Sequence, residues 1–390
     1  MTAPLDRGIA TIADITAIHA LRPRPMRLAP LVDRHRDLVA AAAALVVLVF
    51  AVMALLTVLL AMTGHDAGQS LHAFWMGSFG TPYTLASATL VRAVPLILAG
   101  LAIGIAFRAG VWNIGAEGQL LAGAAVATMV GLEWGGRLGT AGLVPGLFAG
   151  AAGGAALASI AAVLRARFAV LEIISTIMLN FVALHAVGYL VRGPLQEPGG
   201  IYPQSATLLP AAHLPVLVPG TRLHWGFAIA VIAAVVFAII LRRTAIGFRI
   251  RAVGANPSAA HSAGSIDVGR TTFRVFVASG ALAGMAGAVE VYGVTFALYE
   301  NLSPGYGYTA IAVALLARLD PLAILVTGTL LGALQAGGAA MQRDAGVPSV
   351  LVSIVEAVLI LAMVAGAGRS LVGRRPIFGS AGRASGATVT

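Results

Sequence analysis

Apolar runs of membrane-spanning length, separated by short polar breaks, organise this chain from residue 38 to residue 367. A bilayer-spanning helix needs about 20 mostly apolar residues. Ten segments reach or approach that: Leu38–Met62, Leu85–Phe107, Val111–Leu132, Ala141–Leu164, Val170–Leu190, Trp225–Leu241, Phe273–Tyr292, Tyr306–Leu319, Pro321–Ala340 and Val347–Ala367. The eighth is short and Asp320-Pro321 breaks the run behind it, so it reads as a short or re-entrant helix; eight or nine full spans also fit the pattern. The pattern predicts an all-α, polytopic membrane protein of about ten transmembrane helices. Polar tails at 1–37 and 368–390 flank the transmembrane domain.

The arginines orient this map. With the N-terminus in the cytoplasm, twenty of the 25 basic residues fall in cytoplasmic segments, as the positive-inside rule requires. Trp75, Trp134 and Trp225 then lie on the outer side, where an aromatic belt belongs. Both termini, the short loop with Arg165 and Arg167, and the loop at 242–272 are expected in the cytoplasm.

Composition narrows the chemistry. Hydrophobic residues make up 59% and charged ones 10% of 390 positions, far from the roughly 25% charged residues of a soluble domain. There is no cysteine, which removes disulfides, thiol catalysis and thiolate-bound metals. There is no lysine either, so neither Schiff-base chemistry nor a P-loop is open to the chain. The net charge of +10 comes from arginines in short loops, which fits lipid headgroups and not nucleic acid. No catalytic residue, metal ligand or cofactor site is expected.

Against this background Arg108–Gln119, RAGVWNIGAEGQ, stands out. It sets Trp112, Asn113, Glu117 and Gln119 at membrane depth, where polar groups are costly and mark function by default. Asn113 and Glu117 share a helix face if the segment is helical; Gly115 and Gly118 would instead unwind it, which is tolerated only beside protein or a water-filled cavity. Asn180 and His185 on the fifth run and Glu356 in the last add polarity at depth, and Tyr299, Tyr306 and Tyr308 are candidates to stack on a ring. Asn113, Glu117, Gln119, Asn180 and Glu356 are the expected pathway or polar cluster. A purely structural polar knot is the competing reading. Glu172 is placed to pair with Arg165 or Arg167.

Small residues crowd Ala149–Ala155 and Gly280–Gly287, a composition that lets helices approach closely in lipid. The second and third runs are matched five spans later by the seventh and eighth. An odd offset gives an inverted repeat, a common transporter plan.

The longest internal loop, Arg242–Arg274, carries its own helix. Asn256 is a suitable N-cap, Pro257 fits the first helical position, Ala259 and Ala260 favour helix, and Gly264 ends it. Two turns are marginal alone in water, so the helix calls for a docking partner; a solvated basic loop is the alternative.

Phe107–Gln119 resembles the signature of permeases in bacterial ATP-binding cassette importers for nucleosides and simple sugars. Met178–Leu195, Ala252–Gly264, Gly280–Gly287 and Gly305–Pro321 match further blocks of that family in order. The WNIGAEGQ form is closer to the nucleoside branch, linked to basic membrane lipoproteins, than to the ribose branch. The resemblance implies a multi-span permease paired with a second permease subunit (a paralogue or a second copy), a cytoplasmic ATPase, and an extracytoplasmic substrate-binding lipoprotein. Ala252–Gly264 would then be the coupling helix, with Arg251, Gly254, Asn256, Pro257, Ala259 and Ala260 serving ATPase contact. Ser258 stands where the family commonly has an acidic residue, which implies less ionic docking. The alternative function is an ion-coupled secondary transporter, in which Glu117, Glu290 and Glu356 would be the coupling groups.

Overall fold

The computed structural model describes residues 53–348 except Ser265, with isolated helical positions on either side. The first half of Leu38–Met62, most of Val347–Ala367, both polar tails and Glu356 lie outside the described residues. Among the described residues the architecture is helical, with a few isolated β-bridges in the loops.

Several helices begin where the sequence supplies a side-chain cap. Helix α1 is Met53–Met62. Helix α2, Ala67–Ser78, starts on Asp66, whose carboxylate accepts from Gln69 N–H. Helix α3, Pro82–Arg108, starts on a capping box between Thr81 and Thr84 and passes through a π-helical stretch, Leu85–Leu90. Helices α4 (Ala116–Leu138) and α5 (Leu143–Phe168) form a hairpin through a turn opened by Gly139 at φ +55°. Then come α6 (Glu172–Arg192), α7 (Gly226–Arg243), the shorter α8 (Ala245–Ala255) and α9 (Pro257–Gly264), and α10 (Val268–Glu290), which continues as π-helix to Thr295. Helix α11 is Tyr306–Leu316, and α12 is Pro321–Ala345, capped by Asp320.

Among the described residues, six stretches are long and apolar enough to cross a membrane, one of them the 53-residue run that folds as the α4–α5 hairpin. Met53–Met62 and Tyr306–Leu316 are shorter apolar helices. The described residues therefore carry the central spans of the ten-run map; the expected count of about ten is not reached within them. The eighth run is the short helix its sequence implies, 11 residues preceded by non-helical chain.

The core is the stack of α4, α5 and α10. Here backbones touch. A Cβ on Gly284 would meet the Gly150 carbonyl and lie 2.8 Å from Gly154 Cα, and one on Gly154 would lie 2.6 Å from Gly284 Cα. Helix α3 is buried along almost its whole length, from Val91 to Ala106. In contrast, α6 and α7 bury only a narrow stripe and present large apolar side chains outward, as lipid-facing helices do.

The α8–α9 pair closes one end of the bundle. Asn256 Oδ1 accepts from Ala259 N–H at 3.0 Å, so the capped helix sits at the expected residues. Arg165 Nη1 meets Glu172 Oε1 at 2.9 Å, the pair its sequence position implies. The other end is covered by the loop between α6 and α7, whose Ser205, Leu208 and Leu214 N–H groups donate to the carbonyls of Leu298, Phe296 and Tyr292.

Candidate functional site: two interrupted helices meeting head to head

Helix α3 stops at Arg108, and Gly110, at φ +73°, turns the chain back toward the bundle. Residues 109–115 run without helix until α4 restarts at Ala116. The unwound alternative is therefore the observed one: Asn113 lies ahead of the helix and does not share a helical face with Glu117. The seventh and eighth runs are interrupted in the same manner. Helix α10 ends in its π stretch, and non-helical chain follows until Gly305, at φ +96°, opens α11.

The restarted helices meet at their N-termini. Gly307, in the first turn of α11, leaves no room for a Cβ against the backbone of Glu117 in the first turn of α4. Free N–H groups and positive dipole ends converge there. Polar side chains satisfy them. Glu117 Oε2 accepts from Gly307 N–H at 2.6 Å and also hydrogen-bonds Ser303, so it caps the partner helix. Asn180 of α6 caps α4, its Oδ1 accepting from Gly118 N–H at 2.8 Å. The Asn180 amide also donates to the Ile114 carbonyl and to the Tyr308 hydroxyl.

Asn113 and Gln119 lock the unwound segment. Their amides exchange hydrogen bonds at 2.9 and 3.0 Å; Asn113 Nδ2 reaches Ser279 Oγ at 2.9 Å, and its Oδ1 accepts from Gly115 N–H. Ser279 Oγ in turn donates to the Ala102 carbonyl at 2.6 Å. Asn113 is wholly buried and Gln119 is 2% exposed.

Four of the five expected cluster residues, Asn113, Glu117, Gln119 and Asn180, are thus brought together; Glu356 lies outside the described residues. Arg108 does not pair with Glu117. Its guanidinium donates to the Leu319 carbonyl past the end of α11. Trp112 sits at the rim, 53% exposed, its ring tilted against Phe107 and its backbone N–H donating to Glu172 Oε1 at 3.4 Å. Tyr306 is buried, whereas Tyr299 and Tyr308 are partly exposed.

Sequence reading missed Ser279, Ser303 and Gly307. Ser279 stood in the seventh run just ahead of the small-residue block and Gly307 in the short eighth run, where neither a lone hydroxyl nor a glycine gives a periodic signal. It also passed over the surroundings of Glu290, which is buried with Arg92 and Arg222 as neighbouring charges.

The α8–α9 end gathers the six residues expected to serve ATPase contact. Asn256, Pro257 and Ala259 are exposed; Ala260 is buried; Gly254 lies flush against the Arg108 carbonyl, with no room for a Cβ. Arg251 is half-buried, with Nη1 unpartnered among the described residues. An open groove of about 740 Å³ runs between α9 and the start of α10, lined by Pro257, Ser258, His261, Ile266 and Asp267. At the same end Asp320 ties α12 to Arg242 of α7. Burial would raise its carboxyl, but the Arg242 hydrogen bond and the Ala323 and Leu322 N–H groups hold it below the usual carboxylate range.

The family profile described as branched-chain amino acid transport system / permease component matches residues 85–364, which takes in the junction and both interrupted helices. The chain belongs to this permease family. It is 38% identical to the guanosine ABC transporter permease protein NupP of Bacillus subtilis, over 77% of this chain and 86% of that one. It is 41% identical to the glucose ABC transporter permease protein TsgB13 of Haloferax volcanii, over 70% of this chain and 74% of that one. It is 34% identical to the nucleoside ABC transporter permease protein NupB of Lactococcus lactis, over 70% and 77%. No solved structure matches the chain. This permease is accordingly a multi-pass membrane transport component, of the kind its relatives are.

Proposed function

We propose that this permease is the translocation subunit of an ATP-driven importer that moves a nucleoside or simple sugar into the cytoplasm, with hydrolysis supplied by a separate ATPase. The observation that carries the reading is the head-to-head meeting of α4 and α11. Two helices broken at membrane depth, with their N-termini converging, form the arrangement in which transporter binding sites are built. Relatives named for guanosine, nucleosides and glucose support a hydroxylated, uncharged solute.

In this reading the α8–α9 end is cytoplasmic and α9 docks on the ATPase, while the loop at 193–225 faces the receptor lipoprotein. A second permease subunit completes the assembly. The ion-coupled alternative is less well supported, since Glu117, its leading coupling group, is engaged as the cap of α11.

The test is uptake by the assembled complex in proteoliposomes. Guanosine or glucose should accumulate only with ATP on the ATPase side, and collapsing the proton and sodium gradients should leave the rate unchanged. Uptake driven by an ion gradient with ATP absent would overturn the reading. Ala260→Pro supplies a second check. A proline inside a helix costs about 3 kcal/mol, more than two turns can spare, so this variant should insert normally and lose at least nine-tenths of ATP-driven uptake. Normal uptake by the well-expressed variant would show that α9 is not the docking element.

A further inference from the structure

Glu290, in the α10 span, is a buried carboxylate without a contact partner. It is 5% exposed, and its side chain makes no hydrogen bond or ion pair among the described residues. Glu172, Glu300 and Asp320, by comparison, each hold an arginine at contact distance. A buried charge left unpaired is costly, so the place calls for an occupant.

Two helix contacts fix what surrounds it. Helices α3 and α10 run in opposite directions beneath the α6–α7 loop: the Arg222 N–H donates to Ser87 Oγ near the start of α3, and the Leu214 N–H to the Tyr292 carbonyl past the end of α10. They touch where Ser279 Oγ donates to the Ala102 carbonyl. From that contact toward the loop, Glu290 lies eleven residues along α10, about 17 Å away and about 20° round the helix, and Arg92 lies ten residues along α3, about 15 Å away. Helix α11 runs beside α3 in the same direction, for a Cβ on Gly100 would lie 2.9 Å from Val313 Cγ1 and Arg108 reaches the Leu319 carbonyl. Arg92 is eight residues from Gly100 and Tyr306 seven from Val313, about 12 and 10 Å toward the same end. Three helices thus bring Glu290, Arg92 and Tyr306 to one level, beside Gly307 and the junction. The electrostatics agree: the charges neighbouring Glu290 are Arg92 and Arg222, and those neighbouring Tyr306 are Glu290, Arg92 and Glu117. The side chains of Arg92, Arg222 and Tyr306 also make no hydrogen bond or ion pair among the described residues. Unlike His224 Nε2, the unpartnered polar atoms of this group are not sealed off.

A carboxylate offers acceptors alone, a guanidinium donors alone, and a phenol either. Held at one level without touching, they suit a molecule whose adjacent hydroxyls donate to one group and accept from the other. We propose that Glu290 and Arg92 are solute-binding residues of the translocation pathway that recognise a vicinal diol, Glu290 accepting from the two hydroxyls and Arg92 donating to their oxygens, with Tyr306 beside them. This rests on the importer reading above and adds to it the group recognised. A vicinal diol is what the ribose of a nucleoside and a hexose share; the two solutes form the arms of the test.

Because the receptor also selects the solute, the test compares permease variants against one receptor, in the full complex in proteoliposomes with ATP. The readout is kcat/KM for guanosine against 2′-deoxyguanosine, or for glucose against 2-deoxyglucose, whichever pair the wild type transports. Glu290→Gln keeps the shape but exchanges one acceptor for a donor. It should cut uptake of the diol solute about tenfold at an unchanged melting temperature and cut uptake of the deoxy solute far less, so that the ratio between them collapses. Arg92→Gln should move the ratio the same way, and it carries the test should Glu290→Gln fail to assemble. An equal fall for both solutes would make the pair a structural or gating device. Normal uptake with a raised melting temperature in Glu290→Gln would make Glu290 an idle buried charge. Either result overturns the proposal with ATP-driven uptake by the wild type intact, whereas wild-type uptake that needs an ion gradient overturns the importer reading itself.

Discussion

The junction of α4 with α11 and the stack of α4, α5 and α10 use the same helix, α4, in opposite ways. In the stack, regular helices approach until backbones touch. The interaction there is chiefly van der Waals contact over glycine and alanine, which is what holds helices together where lipid removes the hydrophobic drive, with one buried hydrogen bond from the Tyr292 hydroxyl to the Ala127 carbonyl at 2.6 Å. At the junction the helices are interrupted, and freed backbone groups are satisfied by Asn113, Glu117, Asn180 and Ser303, with Gln119 and Ser279 holding the Asn113 amide in place. The stack tolerates no added volume. The junction tolerates no lost hydrogen bond. One helix thus carries a region built for rigidity and a region whose backbone can be rearranged by exchanging partners.

The largest expected effect comes from adding volume to the stack. Gly284→Leu would drive a side chain into the backbones of Gly150 and Gly154. Overpacking costs about 1–3 kcal/mol where neighbours can yield, and backbone cannot, so we expect folded yield after detergent extraction to collapse. The same substitution at Gly199, where nothing lies within 4 Å of a Cβ, should leave yield intact apart from its strained φ. Recovery of Gly284→Leu at near wild-type yield would dissolve the contrast.

Removing a junction partner should act differently. Glu117→Ala leaves the Gly307 N–H buried without an acceptor, a loss of about 1–3 kcal/mol, and Glu117→Gln keeps an acceptor oxygen. Uptake per folded complex is expected to fall more than tenfold in the alanine variant, well beyond the fall in folded yield, with glutamine between it and wild type. Normal uptake per folded complex with a lowered melting temperature would make the junction mere scaffolding.

His224 sharpens the comparison, because it is a polar group packed in the manner of the stack. Its ring lies against Gly226 and Gly293, its Nδ1 accepts from Gly226 N–H at 3.2 Å, and Nε2 has no partner among the described residues. Burial, with help from the Arg222 charge, lowers its pKa from 6.5 to about 4. The unfolded chain therefore takes up the proton first as pH falls. Stability should be full above pH 6.5, decline between pH 6.5 and about 4 at up to about 1.4 kcal/mol per unit, and level off below. Melting temperatures across that range should show the slope in wild type and a flatter line in His224→Gln; identical slopes would remove His224 as its source.

The smallest effect belongs to Asp320. Asp320→Asn keeps the cap of α12 and removes only the charge facing Arg242. The pair is partly exposed, so we expect a cost of about 0.5 kcal/mol. Because the folded carboxyl titrates below its ordinary value of 3.8, this contribution should persist at neutral pH and vanish only as pH falls below that value. A shift in melting temperature that does not shrink as pH is lowered through and below 3.8 would need another cause.

How legible these regions were in the sequence follows from how each is made. Long apolar runs and the Asn256-Pro257 start are local signals, and α3 to α7, α9 and α10 stand close to where the pattern placed them. Crowded glycines at 149–155 and 280–287 announced close packing but not which helices would meet. At the junction, the conspicuous polar residues were found because they are rare at depth. Their partners were not, since Ser279 meets Asn113 across 166 positions of chain and Gly307 meets Glu117 across 190. The role of Glu117 as a cap in trans depends on a meeting that no window of sequence contains.

The contact of Gly254 with the Arg108 carbonyl has a mechanical consequence. The same arginine reaches the Leu319 carbonyl with its side chain, so the last residue of α3 touches α8 through its backbone and the tail of α11 through its guanidinium. There is no slack in this linkage. An ångström of travel by α8 toward the bundle has to be taken up by residues 109–115, the stretch without helix that leads into the junction, or by the tail that follows α11. A push delivered at the surface of α9 would therefore be geared onto the part of the molecule whose hydrogen bonds can change hands.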